Sequence, residues 1–400
     1  MKVLYLINKG LMTPDLAISL ILYGFDVITI ENYEFTYDIE APGCRQKIEE
    51  YIDKDNYDFV ISYNFIPSAA YVCQKHNLIY VSWMYDAFFP ILYTNSLYFS
   101  CNRIFVFDSK EYAYLKGLGI SNAFYLPLCV NNNRLSELII SDEDVRNYRC
   151  DISMVGKLYC SDGVNGYNQI KPLLDSDLSY DIDAILKSIS CDWSDNIDIL
   201  SSFSTIDFNK MPKLMSNEEP RDKFILQDNL YYLITCFSRA LAQIERTNII
   251  NSLANNFNTC IYTFERPVGL SNKVTVHDGV DYITTMPKIF NLSKINLNIT
   301  LRSIIAGIPL RVFDIMGAGG FLMTNHQKDL DKFFLDGIDY VSFNSMDDLM
   351  QKTDYYLSHE SERIQIAING YNKTCTYHTY ENRLDEMLNI LLKTGLVIKD

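Results

Sequence analysis

Basic side chains are scarce in this sequence: 35 Lys and Arg stand against 50 Asp and Glu, a formal net charge of −15. A nucleic-acid surface needs clustered cations to replace counterions, so that class of partner is excluded. The first 150 residues are themselves acidic, which disfavours docking on anionic lipid and association with a membrane, and favours a soluble acceptor. Long apolar runs are missing too. No segment approaches the ~18 uninterrupted apolar residues of a membrane span. The opening MKVLYLINKG runs into a strand without a signal peptide's apolar region or small-residue cleavage site, so the expected location is cytoplasmic. The Asn-x-Ser/Thr matches at Asn291, Asn298 and Asn372 then read as chance. The 10 cysteines are scattered, with no C-x-x-C pair and no Cys/His cluster at zinc spacing. Reduced, buried thiols are expected, and no structural metal site. There is no Walker sequence, no G-x-S-x-G and no H-E-x-x-H; the GAGG at Gly317–Gly320 follows a helix instead of opening one, so dinucleotide-loop mechanics do not apply.

What is present is the composition of an ordered globular protein, 48% hydrophobic and 21% charged over 400 residues, long enough for two domains. The 29 Tyr and 22 Phe read as core and rim residues of a large α/β fold. In the first third, strands at Val3–Ile7, Val27–Ile30, Phe59–Ser62, Ile79–Trp83, Arg103–Phe107 and Ala123–Leu126 alternate with helical segments, which means a parallel sheet covered on both faces. Pro127 and the polar run Asn131–Arg134 close a first domain over residues 1–133. A second domain, over 150–375, opens on strand Asp151–Val155. A mostly helical insertion follows at about 160–241, and the alternation then resumes: helix Arg246–Asn255, strands Thr259–Thr263, Val274–His277 and Ile295–Ile299, helix Leu310–Met316, and strands Gly320–Thr324 and Tyr340–Phe343. Residues 376–400 are a final helix. The expected architecture is α/β, two Rossmann-like domains facing each other across a cleft.

The most informative stretch is Lys294–Met323. An apolar strand ends in Asn296, Asn298 and Thr300, a Gly307-Ile308-Pro309 turn leads into a short helix carrying Leu310, Arg311 and Asp314, and glycines end that helix before the next strand. Unpaired amides and the helix dipole make such an N-terminus an anion site, and Pro309 is expected in the first helical turn. Asp314, one turn further in, could accept hydrogen bonds from ribose hydroxyls while a diphosphate rests at the helix end.

The segment GIPLRVFDIMGAGGFLM (Gly307–Met323), with Asn298–Thr300 before it and the tail NGYNKTCTYHTYENR (Asn369–Arg383), resembles the CgeB-like, group 1 type glycosyltransferases. YVSWMYD (Tyr80–Asp86), Phe105–Ser109, YLPLCV (Tyr125–Val130) and DISMVGKL (Asp151–Leu158) are similar to the domain often paired with that family and to the start of the family's second domain. The resemblance implies the GT-B fold, a nucleotide-diphosphate sugar donor held by the C-terminal domain, an acceptor on the N-terminal domain, and a last helix crossing back to the first domain. It implies no metal or other cofactor. Asp314 matches the acidic residue that contacts the donor ribose in related enzymes. Many GT-B enzymes carry a second glutamate about two turns earlier; here Ala306 and Gly307 occupy that neighbourhood, which leaves the sugar-contacting role and the retaining mechanism unassigned.

Without a metal, the leaving diphosphate must be neutralised by cations and amides. Gly156 and Lys157, after the first strand of the second domain, and Arg311 are the candidates, each set against a surface or ion-pair role. Asn298 and Thr300, with Arg302, lie at a strand's C-terminal end, where open α/β sheets bind ligands. By the resemblance, Tyr282 and Met286, in a turn before Pro287, could flank the base; a packing role is equally open. In the first domain Asp86 follows a strand and could take the acceptor proton in an inverting reaction, and Asn8-Lys9-Gly10 resembles the loop that reaches toward donor and acceptor in such folds. His378 is expected to be structural, and His76 and His277 surface or edge residues. The function expected is a cytoplasmic transferase using a nucleotide sugar, UDP-linked (UDP-GlcNAc or UDP-glucose), on a protein such as flagellin or on a surface glycan. The alternatives are a nucleotide-sugar hydrolase or epimerase of the same fold, and a non-catalytic binding partner of another transferase.

Overall fold

The computed structural model describes residues 1–7, 13–31, 43–161, 166–190, 193, 199–212, 225–226, 230 and 232–397. The chain divides into two compact units, one of Met1–Asn131, Met215–Gln227 and Thr379–Asp400, the other of Asn132–Leu214 and Asp228–His378. Each is built on a six-stranded, wholly parallel sheet.

In the first unit the strands are β1 (Lys2–Ile7), β2 (Asp26–Glu31), β3 (Phe59–Tyr63), β4 (Ile79–Trp83), β5 (Asn102–Val106) and β6 (Ala123–Tyr125), in the order β2-β1-β3-β4-β5-β6. Their apolar runs carry little alternation because helices cover both faces; every residue of β3 and β5 is buried. The chain leaves β1 outward to β2 and then reverses to β3, so the tips of β1 and β3 form a topological switch point.

The last helix, Tyr380–Lys393, packs within this unit. The Tyr380 hydroxyl meets those of Tyr63 (2.7 Å) and Tyr85 (3.0 Å). Arg383 donates to the Pro127 and Leu128 carbonyls, and Arg103 donates to Thr394. Thr379 and Asn382 close a reciprocal cap at its start.

In the second unit β7 (Ile152–Val155), β8 (Thr259–Thr263), β9 (Thr275–Asp278), β10 (Ile295–Asn298), β11 (Leu322–Asn325) and β12 (Val341–Phe343) stand in the order β12-β11-β10-β7-β8-β9. The reversal falls between β7 and β10. Asn296, wholly buried at the centre, accepts from the Ser153 hydroxyl and donates to the Phe290 and Phe321 carbonyls, tying strand to helix to loop.

The sequence places the start of β11 at Gly320, but the strand begins at Leu322. Both glycines are held by the preceding helix: Gly319 takes the left-handed conformation (φ 77°) and donates to Met316, while Gly320 donates to Ile315 (2.9 Å). This is the paired closure that ends helices on a left-handed residue. A side chain at Gly320 would put its Cβ 2.6 Å from the Phe290 carbonyl.

The described part of the expected helical insertion includes Gly166–Ile170 and Ser176–Ile189, and an irregular turn at Tyr232–Phe237 runs into Ser238–Ala254. It has its own apolar core around Ile182, Phe203 and Phe237. The helix expected at Arg246 therefore starts eight residues earlier, where Ala240, Leu241 and Ala242 are buried. Among the described residues, no helix is long and apolar enough to cross a membrane.

One buried acid gives the first unit a pH signature. Glu111, in helix Ser109–Gly117, accepts from Tyr93 Oη (2.9 Å), while its other oxygen has no hydrogen-bond partner. Burial, reinforced by the charge of Asp108, lifts its pKa from the ordinary 4.5 to about 8. The folded state therefore binds a proton that the unfolded state releases. The stabilisation is full below pH 4.5 and is lost as pH rises through about 8. Melting curves from pH 5 to 9 should show wild-type stability declining and Glu111→Gln declining less; parallel profiles would contradict this.

Candidate functional site

All strands of a parallel sheet end on one edge, and ligands of open α/β sheets gather there at the switch point. In the second unit that point is the pair of tips following β7 and β10. Gly156 and Lys157 follow β7. Gly156 has φ 153°, where side chains are disfavoured, and Lys157 is exposed. Arg246 bridges the two tips, donating to the Lys157 carbonyl and to the Ile299 carbonyl. Asn298 and Thr300 are both buried. The Asn298 amide donates to the hydroxyls of Thr300 (3.1 Å) and Thr324 (2.9 Å), and Asn325 accepts from the Thr300 amide (2.8 Å). These two residues thus form a polar knot that fixes the tips of β10 and β11.

Beside the knot, helix Leu310–Gly317 begins after the Gly307-Ile308 turn. Pro309 is its N-cap, with extended ψ of 151°, so it stands one place outside the first helical turn expected for it. A proline lacks a side-chain acceptor for the first amides, and no side chain caps this helix, nor is there an acid in its first turn. The amino end at Leu310 therefore offers amides and a positive dipole end with no internal counter-group from its own cap. The underside is packed: Phe313 lies against the His378 ring, which also meets Phe333 and Phe334.

Asp314, about 5% exposed, faces a set assembled from three distant segments. Tyr282 Oη donates to Oδ1 (2.9 Å) and Arg311 Nη1 to Oδ2 (3.3 Å). Arg311 also contacts the Met286 sulfur and lies 5.4 Å over the Phe290 ring. Tyr282 is held in turn: the Arg134 guanidinium lies 4.9 Å over its ring and donates to the Ile283 carbonyl (3.1 Å). The adjoining Asp281 accepts from the Ile283, Thr284 and Thr285 amides. Burial works against the Asp281 charge, but the Thr284 hydroxyl and these amides hold its pKa at about 2. The structure thus brings Tyr282, Met286, Arg311 and Asp314 together.

Arg302 is directed elsewhere. Its Nε and Nη2 donate to Glu245 Oε1 at 3.0 and 2.8 Å, and Trp193 Nε1 donates to the same oxygen. Glu245 is fully buried and its second oxygen has no hydrogen-bond partner. Burial raises its pKa, and Arg302 acts against that rise. Among the described residues, no group of three or more His, Cys, Asp or Glu could hold a metal ion.

In the first unit, Asp86 is exposed beyond the tip of β4. Asn64, at the tip of β3 and in the left-handed region (φ 53°), grips it: its amide nitrogen donates to Asp86 Oδ2 (2.7 Å), while its oxygen accepts from the Tyr85 and Asp86 amides. Asn8, Lys9 and Gly10 lie outside the described residues. Sequence reasoning missed Asn64, Arg134, Glu245 and Arg246. Asn64 and Arg246 could have been suspected as polar residues near strand tips at the switch points; nothing local marks Arg134, which meets Tyr282 from 148 positions away.

Residues 244–389 match the family model described as glycosyl transferase-like. No curated protein matches the chain in sequence. Among solved structures it is similar to Anabaena HepE in complex with UDP and glucose (10% identity, 98% of this chain and 100% of that one, TM-score 0.57). It is also similar to a Rickettsia africae glycosyltransferase (12% identity, 98% of each chain, TM-score 0.53). A third likeness is to the T4 phage BGT in complex with its UDP-glucose substrate (12% identity, 100% of each chain, TM-score 0.51). At such identities the structural likeness is one of fold. The chain shares the GT-B fold of these structures, and the likeness to the glycosyl transferase-like family is confined to residues 244–389.

The Glu245–Arg302 pair gives a direct check of what Arg302 does. Arg302→Met leaves a buried carboxylate without its cation and should cost about 3–5 kcal/mol. Adding Glu245→Gln should recover part of that loss in denaturant unfolding. A single variant as stable as wild type would show that the pair is not what holds this corner.

Proposed function

We propose that this protein is a glycosyltransferase that carries a sugar from a UDP-sugar, such as UDP-glucose or UDP-GlcNAc, to a hydroxyl of a protein or surface-glycan acceptor in the cytoplasm. The observation that carries the donor reading is the uncapped amino end of helix Leu310–Gly317, set beside the Asp314–Tyr282–Arg311 cluster. An anion is the natural complement of that end, and Asp314 stands one turn inward, where a ribose edge would follow a diphosphate. Lys157, exposed at the neighbouring tip, supplies a mobile positive charge for the leaving group. The UDP and UDP-glucose named for the HepE and T4 phage structures support the same donor class. The acidic balance of the chain supports a soluble acceptor over a lipid-borne one.

In this reading no metal takes part. The diphosphate charge that builds as the glycosidic bond breaks is met by the helix amides and Lys157. Asp86, exposed and oriented by Asn64, is the base of this reading: it takes the proton of the acceptor hydroxyl in an inverting transfer.

UDP should raise the melting temperature in the presence of EDTA, by the equivalent of about 2.7 kcal/mol at a hundredfold excess over Kd. Asp314→Ala should abolish the shift. Melting curves unmoved by UDP, GDP and dTDP alike would remove the donor site. For the base, Asp86→Asn should lower kcat about 10²–10⁴-fold while leaving UDP affinity unchanged; a product of retained configuration would take that role from Asp86. Donor binding without turnover on any acceptor would point instead to a non-catalytic partner of another transferase, the reading that the alanine at position 306 keeps in view.

A further inference from the structure

The turn that carries Gly156 and Lys157 is closed by a carboxylate from the adjacent strand. Glu265 lies two residues beyond β8, which pairs in parallel with β7 through Val155 and Tyr262. Its Oε2 accepts from the Leu158 amide and from the Tyr159 amide at 2.9 Å; its Oε1 accepts from the amides of Cys160 (3.1 Å) and Ser161 (3.4 Å) and from the Ser161 hydroxyl (3.3 Å). Tyr159 is left-handed, with φ 60°. A change of backbone hand turns successive amides toward one point and makes an anion-holding concavity. Here four consecutive amides converge on the chain's own carboxylate.

Two consequences follow for the tip of β7. The concavity is filled, so a diphosphate meets Lys157 rather than these amides. The residue is also fastened on both sides: Arg246 holds its carbonyl, with the Arg246 guanidinium 5.1 Å from the Tyr159 ring, and Glu265 holds the amides that follow it. Among the described residues 155–161, Lys157 is the one that is exposed.

We propose that Glu265 is a positioning residue for the donor: an internal anion that shapes the 158–161 turn so that the Lys157 ammonium stands where the diphosphate is bound. This rests on the donor-site reading above. The role demands a group that only accepts hydrogen bonds, because five donors point at it. Glutamine is nearly isosteric but would set an NH₂ against those amides, so Glu265→Gln should loosen the turn without emptying it.

The test is a double-mutant cycle on ligand binding, reading UDP and uridine affinities by calorimetry for wild type, Glu265→Gln, Lys157→Ala and the double variant. Glu265→Gln should weaken UDP about tenfold and uridine less than about twofold, because only the diphosphate senses Lys157. In the Lys157→Ala background the further loss of UDP affinity should be under about twofold, since the two residues act through one contact. Glu265→Asp keeps the charge on a shorter arm; it should fall between wild type and Glu265→Gln, and it serves the same comparison if the glutamine variant does not fold. Equal losses of UDP and uridine, full additivity of the two substitutions, or UDP affinity unaltered in Lys157→Ala would each overturn the role. A wild-type protein that binds neither UDP nor uridine would instead remove the donor site itself, and this role with it.

Discussion

A parallel strand ends with peptide groups that its neighbours no longer pair, and they lie at the edge where a ligand must enter. That constraint organises both units. At the tip of β3, Asn64 accepts the amides of Tyr85 and Asp86. At the tips of β7 and β10, Arg246 takes two carbonyls, Glu265 takes four amides, and Asn325 takes the Thr300 amide. In each case a long or branched polar side chain from one strand tip or helix settles the backbone of another. Among the described residues at these edges, Lys157 is exposed, the first amides of helix Leu310–Gly317 meet no side-chain cap, and Asp86 is exposed but held by Asn64.

The acids separate into groups by how their charge is met. Asp281 is satisfied by amides and a hydroxyl and held at about 2, while Glu111, facing Asp108 without a cation, is lifted to about 8. Glu245 is as deeply buried as Glu111 but has Arg302 against it, so its rise is opposed by a cation. Asp314 differs from all three, since its partners, Tyr282 and Arg311, are side chains on the rim of the ligand edge. Glu111 and Glu245, both buried, are thus each met by a side chain within the fold.

The local grammar of the fold was legible. Apolar runs such as Ile79–Trp83 and Thr259–Thr263 coincide with β4 and β8 residue for residue, and the helix expected at Leu310 begins there, with Pro309 as its cap instead of in its first turn. The glycine closure after that helix shifted the next strand by two residues, because a left-handed cap takes backbone that apolarity alone assigns to the strand. Contacts across sequence were not legible. Whether Arg302 would reach a ligand or Glu245, and whether Tyr282 would meet Asp314 beneath Arg134, depends on which strands become neighbours. Asn298 and Thr300 were placed correctly at a strand end, yet their side chains face one another, since buried hydroxyls and amides must find partners close by.

The closing helix has a consequence for the order in which the molecule can form. Tyr380 completes a ring of three tyrosine hydroxyls under Trp83, and Arg383 covers the carbonyls of Pro127 and Leu128. The first unit thus draws part of its interior from residues translated after the whole of the second sheet. During synthesis the first six strands leave the ribosome well before this helix does, so their unit waits, incompletely packed, until the second sheet has been made.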